Sequence, residues 1–154
     1  MGLNTRSILD PRWIGHHRSI STGLQVCDIT IYNENLGVRA YNATANTWTT
    51  SATAIWSGKA RIQPLTKGTN RSAKTNPTDI REVEFQIDFN KNTVSGATAP
   101  MADLRPGNYI IVNTSPYDAT LKTFSYVIRS VMNSSNPWQR TIIAEVDMES
   151  DPNA

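Results

Sequence analysis

The chain has 154 residues, 38% of them hydrophobic and 18% charged, with a formal net charge of +2. A chain of this length can bury about 70% of its unfolded surface as one domain without metals or disulfides, and its small charge excess speaks against binding nucleic acid by bulk electrostatics. Its single cysteine excludes an internal disulfide, and with no apolar run of about 18 residues to cross a bilayer, no membrane partner is expected.

Thr, Ser and Asn fill much of the remaining composition, a mixture suited to strands and loops more than to helices. No internal repeat is visible. The charges are unevenly placed: Arg6, Arg12 and Arg18 with His16 and His17 near the start, and Glu145, Asp147, Glu149 and Asp151 near the end. Ends of opposite sign can steer identical subunits into head-to-tail contact, although solvated termini account for the same pattern. No apolar leader follows Met1, so a soluble protein that is not exported is expected.

Residues 1–23 read as an N-terminal arm. Asp10 and Pro11 form a helix-start signal, predicting a short helix from about Pro11 to Ser19, with Gly23 as a break. Trp13 and Ile14 are its expected docking face, and His16, His17 and Arg18 are expected to look outward. Adjacent histidines do not share a helical face, so they make no metal site.

Residues 24–148 read as the folded domain. Leu24 to Tyr32 alternates Cys27, Ile29 and Ile31 against Val26, Asp28, Thr30 and Tyr32, a first core strand. Val38 to Tyr41 and Thr47 to Thr50 predict a hairpin. Ala54 to Leu65 is the longest strand, with Trp56, Ala60 and Ile62 inward, Gly58 leaving room for a close neighbour, and Pro64 ending it. Residues 66–80 form a polar loop carrying Lys67, Arg71 and Lys74, long enough to suit function or mobility. Arg81 to Asn90 places Val83, Phe85, Ile87 and Phe89 inward and Glu82, Glu84, Gln86 and Asp88 outward.

After a second loop, Pro106-Gly107 predicts a turn with positive φ at the glycine. It leads into a strand, Asn108 to Asn113, whose apolar centre Tyr109-Ile110-Ile111-Val112 implies cover on both faces. Thr123 to Val131 places Phe124, Tyr126 and Ile128 on one face, and Gln139 to Met148 turns Ile142, Ala144, Val146 and Met148 inward. Residues 149–154 are an acidic tail. The sum is an all-β fold, a small antiparallel β-barrel of six to seven strands with long loops and a short N-terminal helix.

The motifs for chemistry are missing. There is no glycine-rich phosphate loop, no HExxH, no paired cysteines and no Gly-x-Ser-x-Gly elbow. Glu82, Glu84 and Asp88 read as the solvent face of a half-buried strand rather than a glycosidase pair. Neither an enzyme nor a cofactor is expected. An OB-like nucleic-acid module is the alternative of a different class, with Trp48, Tyr117 and Trp138 as stacking groups and the loop cations on phosphates.

Four stretches occur in a telling order: Asp10-Pro11-Arg12-Trp13-Ile14 with His17-Arg18; Cys27-Asp28-Ile29-Thr30; Trp56 to Pro64, WSGKARIQP; and Leu104-Arg105-Pro106-Gly107-Asn108-Tyr109. Together they resemble the head-closure, or head-to-tail stopper, proteins of tailed phages of actinobacteria. Asn108 stands where that family has Asp, and either suits the turn. The resemblance implies a virion protein of the neck, assembled in the host cytoplasm. Its β-barrel subunits would form a ring with copies of themselves, six-fold as such rings commonly are, between a portal-bound adaptor and a tail terminator or tail tube. It implies a loop directed at the channel, for which Lys67, Arg71 and Lys74 are the candidates in non-specific contact with packaged double-stranded DNA; residues 33–53 compete for that place. Arg12, Trp13, His17 and Arg18 are the candidate docking arm. A tail terminator of similar architecture is the neighbouring alternative.

Overall fold

A computed structural model of the chain describes residues 11–33, 39–65, 82–94, 104–134 and 136–147. Among these residues one α-helix, α1 (Pro11–Gly23), precedes eight strands: β1 (Cys27–Tyr32), β2 (Arg39–Asn42), β3 (Thr47–Thr50), β4 (Ala54–Pro64), β5 (Glu82–Ile87), β6 (Tyr109–Thr114), β7 (Ser125–Met132) and β8 (Arg140–Val146). Six strands close into a barrel in the order β1-β4-β5-β8-β7-β6, and β2 and β3 pair as a separate ribbon. Every barrel pair is antiparallel, including the closing pair of β1 with β6. The fold is the small all-β barrel expected from the alternating pattern.

Alternation decides which side chains fill the interior. Trp56, Ile29, Ile31, Phe85, Ile87, Ile110, Tyr126, Ile128 and Ile142 are almost completely buried, with Val146 beside them. Ile62, Val83, Phe89 and Phe124 pack partly buried against this cluster. Phe85 meets Tyr126 edge to face at 5.2 Å, a favoured aromatic geometry, and the Tyr126 hydroxyl donates to the Leu121 carbonyl at 3.2 Å. All four apolar residues of β6 are buried. The outer Tyr109 is covered by a stack on Tyr32 at 5.3 Å and by a 2.7 Å hydroxyl bond with Thr50 at the end of the ribbon.

β4 is longer than the partner strand beside it. β5 pairs only with Ala60 to Pro64, so the first half of β4 needs other partners for its backbone. Asn92 and Thr93 supply them. The Asn92 amide side chain accepts from the Ser57 N–H and donates to the Ile55 carbonyl, and the Thr93 N–H donates to the Ser57 carbonyl at 2.8 Å. This brings the chain close to Gly58, where a Cβ would lie 2.7 Å from the Lys91 carbonyl oxygen and 2.8 Å from the Trp56 ring. The close neighbour expected at Gly58 is therefore backbone. Gly107 takes the expected positive φ, at 97°.

Several expectations are corrected. The helix continues through Ser19 to Gly23, and the first strand starts at Cys27, because Leu24 and Gln25 close the helix with backbone bonds to Ser21 and Thr22. Asp88 does not face solvent. The strand ends at Ile87, and the Asp88 side chain turns in with 1% exposure to meet Arg18. Arg18 therefore points at the barrel, whereas Trp13, expected to dock, is 48% exposed. Phe89 leaves strand register in the turn after β5 and still packs on the core. Met148, the loop 66–80 and the tail 149–154 lie outside the described residues.

Candidate functional site

α1 sits against the barrel through polar groups. The Arg18 guanidinium donates to the Asp88 carboxylate at 2.9 Å, and the Asn90 N–H donates to the other Asp88 oxygen at 3.2 Å. Gln139 donates to the Ser21 hydroxyl at 3.3 Å, and the Gln25 side chain donates to the Trp138 carbonyl at 3.2 Å. Partners come from the turn after β5 and from the 3-10 turn Pro137–Gln139 before β8. Beside them the Arg140 guanidinium lies 3.9 Å over the Phe89 ring, a cation–π contact. Burial pushes the Arg140 pKa down.

With Arg18 and Ser21 bonded to the barrel, α1 shows solvent an apolar stripe. Trp13, Ile20 and Leu24 are each about half exposed, and with His17 they recur at i, i+4, i+7 and i+11, on one side of a helix. His17 packs on Trp13 with ring centroids 3.8 Å apart. His16 and Arg12 are exposed alongside, and no carboxylate occurs on the helix. Of the candidate docking arm, Trp13 and His17 are thus on this outward face with Arg12 next to it, and Arg18 is the tether. Ile20 and Leu24 were missed, although their spacing from Trp13 was there to be read.

A second surface is the outer face of β5 and β8. Glu82 stands directly opposite Glu145, and Glu84 opposite Ile143. Glu145 is bridged by Arg129 on β7. Like charges directly opposite on a sheet are destabilising.

A third is the outer face of β1, β4 and β6. Lys59 bridges Asp28 at 2.8 Å, and the Thr114 hydroxyl donates to the same carboxylate. Burial works against the Asp28 charge, but these two bonds outweigh it and hold the carboxyl below its ordinary value. Next to them is an open cleft of about 440 Å³ lined by Val26, Lys59, Thr114, Ser115, Ala119 and Lys122. The buried Cys27 thiol lies 3.7 Å from the Ser115 hydroxyl at its edge. Both histidines of the chain are on α1, so no imidazole from β1 or β6 accompanies that thiol.

The three aromatics considered for base stacking belong to three different elements. Trp48 is half-buried in the ribbon against Tyr41, Trp138 is half-buried in the turn before β8, and Tyr117 is 86% exposed. Lys67, Arg71 and Lys74 lie outside the described residues. Among the described residues no group of three His, Cys, Asp or Glu side chains gathers to hold a metal, and no helix is long and apolar enough to cross a membrane.

Residues 17–145 match a family of unknown function, DUF6093. The chain belongs to that family. The matched span runs from within α1 to Glu145 in β8, taking in the barrel strands except their last residue. No curated protein and no solved structure matches the chain.

Proposed function

We propose that this chain is a structural subunit of a phage neck, forming a ring that closes the DNA-filled head and joins it to the tail. The observation that carries the reading is where the resembling stretches fall. Cys27 to Thr30 lies on β1, Trp56 to Pro64 on β4, and Leu104 to Tyr109 leads into β6. β1 lies between β4 and β6 in the barrel, so stretches far apart in sequence build one continuous wall. The remaining one, from Pro11 onward, lies on α1, docked on the same barrel. A closed wall with loops at its ends suits a part that works by shape and repetition around an axis.

On this reading the partners are further copies of the chain, the portal-bound adaptor and the tail terminator or tube. The cations Lys67, Arg71 and Lys74 touch packaged DNA through phosphates, without sequence preference and more weakly in high salt. Deletion of the gene in a phage that carries it tests the proposal. The expected particles are filled heads that leak DNA and carry no tails, restored by the chain supplied in trans. Normal tailed particles lacking the chain would overturn it. A triple Lys67→Ala, Arg71→Ala, Lys74→Ala chain should assemble and lose DNA faster; unchanged retention would remove the loop from the channel.

A further inference from the structure

Among the described side chains of α1 and the residues just past it, those bonded to the barrel are polar and the large apolar ones are exposed. Arg18 and Ser21, with Gln25 just past the helix end, are spent on the barrel. Trp13, Ile20 and Leu24 remain in water at 48%, 55% and 52% exposure. Covering the exposed half of these side chains removes apolar area from water, so the arrangement favours a second surface that covers them. That surface must be apolar at its centre and able to accept hydrogen bonds at its rim, because the exposed imidazoles of His16 and His17 stand beside the stripe and the helix has no acid of its own.

The outer face of β5 and β8 answers this description. Ile143 is half-buried at its centre with part of its side chain open to solvent, flanked by Glu84 across the ladder and Glu145 two residues on, with Glu82 opposite Glu145. Glu82 and Glu84 make no ion pair among the described residues, and the facing Glu82 and Glu145 are only partly relieved by Arg129. A donor-rich neighbour would offset that repulsion. The face is also clear of the helix in its own subunit, because α1 meets the opposite ends of these strands, at Asp88 and Gln139.

We infer that the outward face of α1 docks head to tail on the β5–β8 wall of a second copy of the chain, which rests on the ring reading above. Such a contact uses different patches on the two copies, and it yields a ring where the rotation closes. Its anchors are Trp13 and Ile20 on the helix and Ile143 on the wall; the carboxylates Glu82 and Glu84 set the register.

Two variants test it, Ile20→Asp on the helix and the double Glu82→Lys, Glu84→Lys on the wall, followed by sedimentation and native mass over a concentration series. The wild-type chain is expected to self-associate, and each variant alone to remain monomeric, Ile20→Asp with an unchanged melt and the wall variant with a melt no lower than that of wild type. An equimolar mixture of the two should give a heterodimer and nothing larger, since one intact helix and one intact wall are left to meet. Variants that assemble like wild type, or a mixture with no heterodimer, would overturn the assigned surfaces and leave the ring reading standing. A lower melting point for Ile20→Asp with no change in mass would show that the stripe is covered within its own chain, overturning the proposal. A wild-type chain that stays monomeric throughout would overturn both this contact and the ring.

Discussion

The Arg18 guanidinium and the Asp88 carboxylate meet at 2.9 Å across 70 residues of sequence, with the acid buried and the base 40% exposed. This pair fastens α1 to the barrel. Arg18→Ala leaves Asp88 with the Asn90 N–H alone, a loss of about 1.5–3 kcal/mol for a hydrogen bond to a charged group. The loss is capped by the cost of lifting the helix, since a detached α1 lets water reach the acid. Hydrogen exchange over residues 11–25 should therefore rise while exchange in the barrel strands stays slow. Protection of α1 unchanged in Arg18→Ala would show that Ser21 and Gln25 hold it unaided.

Gly58 has no room for a methyl group, with the Lys91 carbonyl and the Trp56 ring both within 3 Å of a Cβ position. Gly58→Ala is expected to cost about 1–3 kcal/mol, as overpacking in a dense core does. Urea denaturation checks it, with the slope expected to hold and the midpoint to fall. A midpoint equal to wild type would mean that the 91–94 segment moves aside freely.

The facing carboxylates Glu82 and Glu145 give a prediction of the opposite sign. Glu82→Gln removes a cross-strand repulsion and should stabilise the chain by about 0.2–1 kcal/mol. The gain should shrink as salt is added, since screening already weakens the repulsion. Thermal melts at low and high ionic strength measure it, and a destabilised variant would show that Glu82 has a partner worth more than the repulsion.

Asp28 governs part of the acid limb. Its folded pKa lies below its ordinary value of 3.8, so its contribution is complete above the unfolded value and is lost as pH falls through the folded one. Half-exposed as the bridge to Lys59 is, screening keeps the contribution under about 1 kcal/mol. Asp28→Asn should be slightly less stable than wild type at neutral pH and should converge with it in acid. A constant gap between the two stability curves from neutral pH into acid would assign the effect to packing.

Side-chain alternation made most of the barrel legible, because a period of two leaves little choice of face in β1, β4, β5 and β8. It failed at Asp88 for a local reason. The strand stops one residue earlier, and once the chain turns, parity no longer says where a side chain points; burial of the carboxylate depends on an arginine 70 residues away. The outward stripe of α1 was written in the spacing of Trp13, His17, Ile20 and Leu24. Apolar residues on a helix are ordinarily assigned to the core, and only the exposure of Trp13, Ile20 and Leu24 and the polar contacts of Arg18, Ser21 and Gln25 show that this stripe faces water. The substitution of Asn92 and Thr93 for a neighbouring strand along the first half of β4 leaves no periodic mark, since it depends on one side-chain amide and the Thr93 N–H and hydroxyl rather than on a strand ladder.

The position of β8 carries a consequence for synthesis. It lies between β5 and β7, both of which leave the ribosome earlier, so a nascent chain stopped before Arg140 holds an open sheet with two bare edges. The wall assigned to docking does not exist at that stage. On the docking proposed above, incomplete chains lack the surface by which they would be recruited, so assembly would select subunits whose β8 is complete.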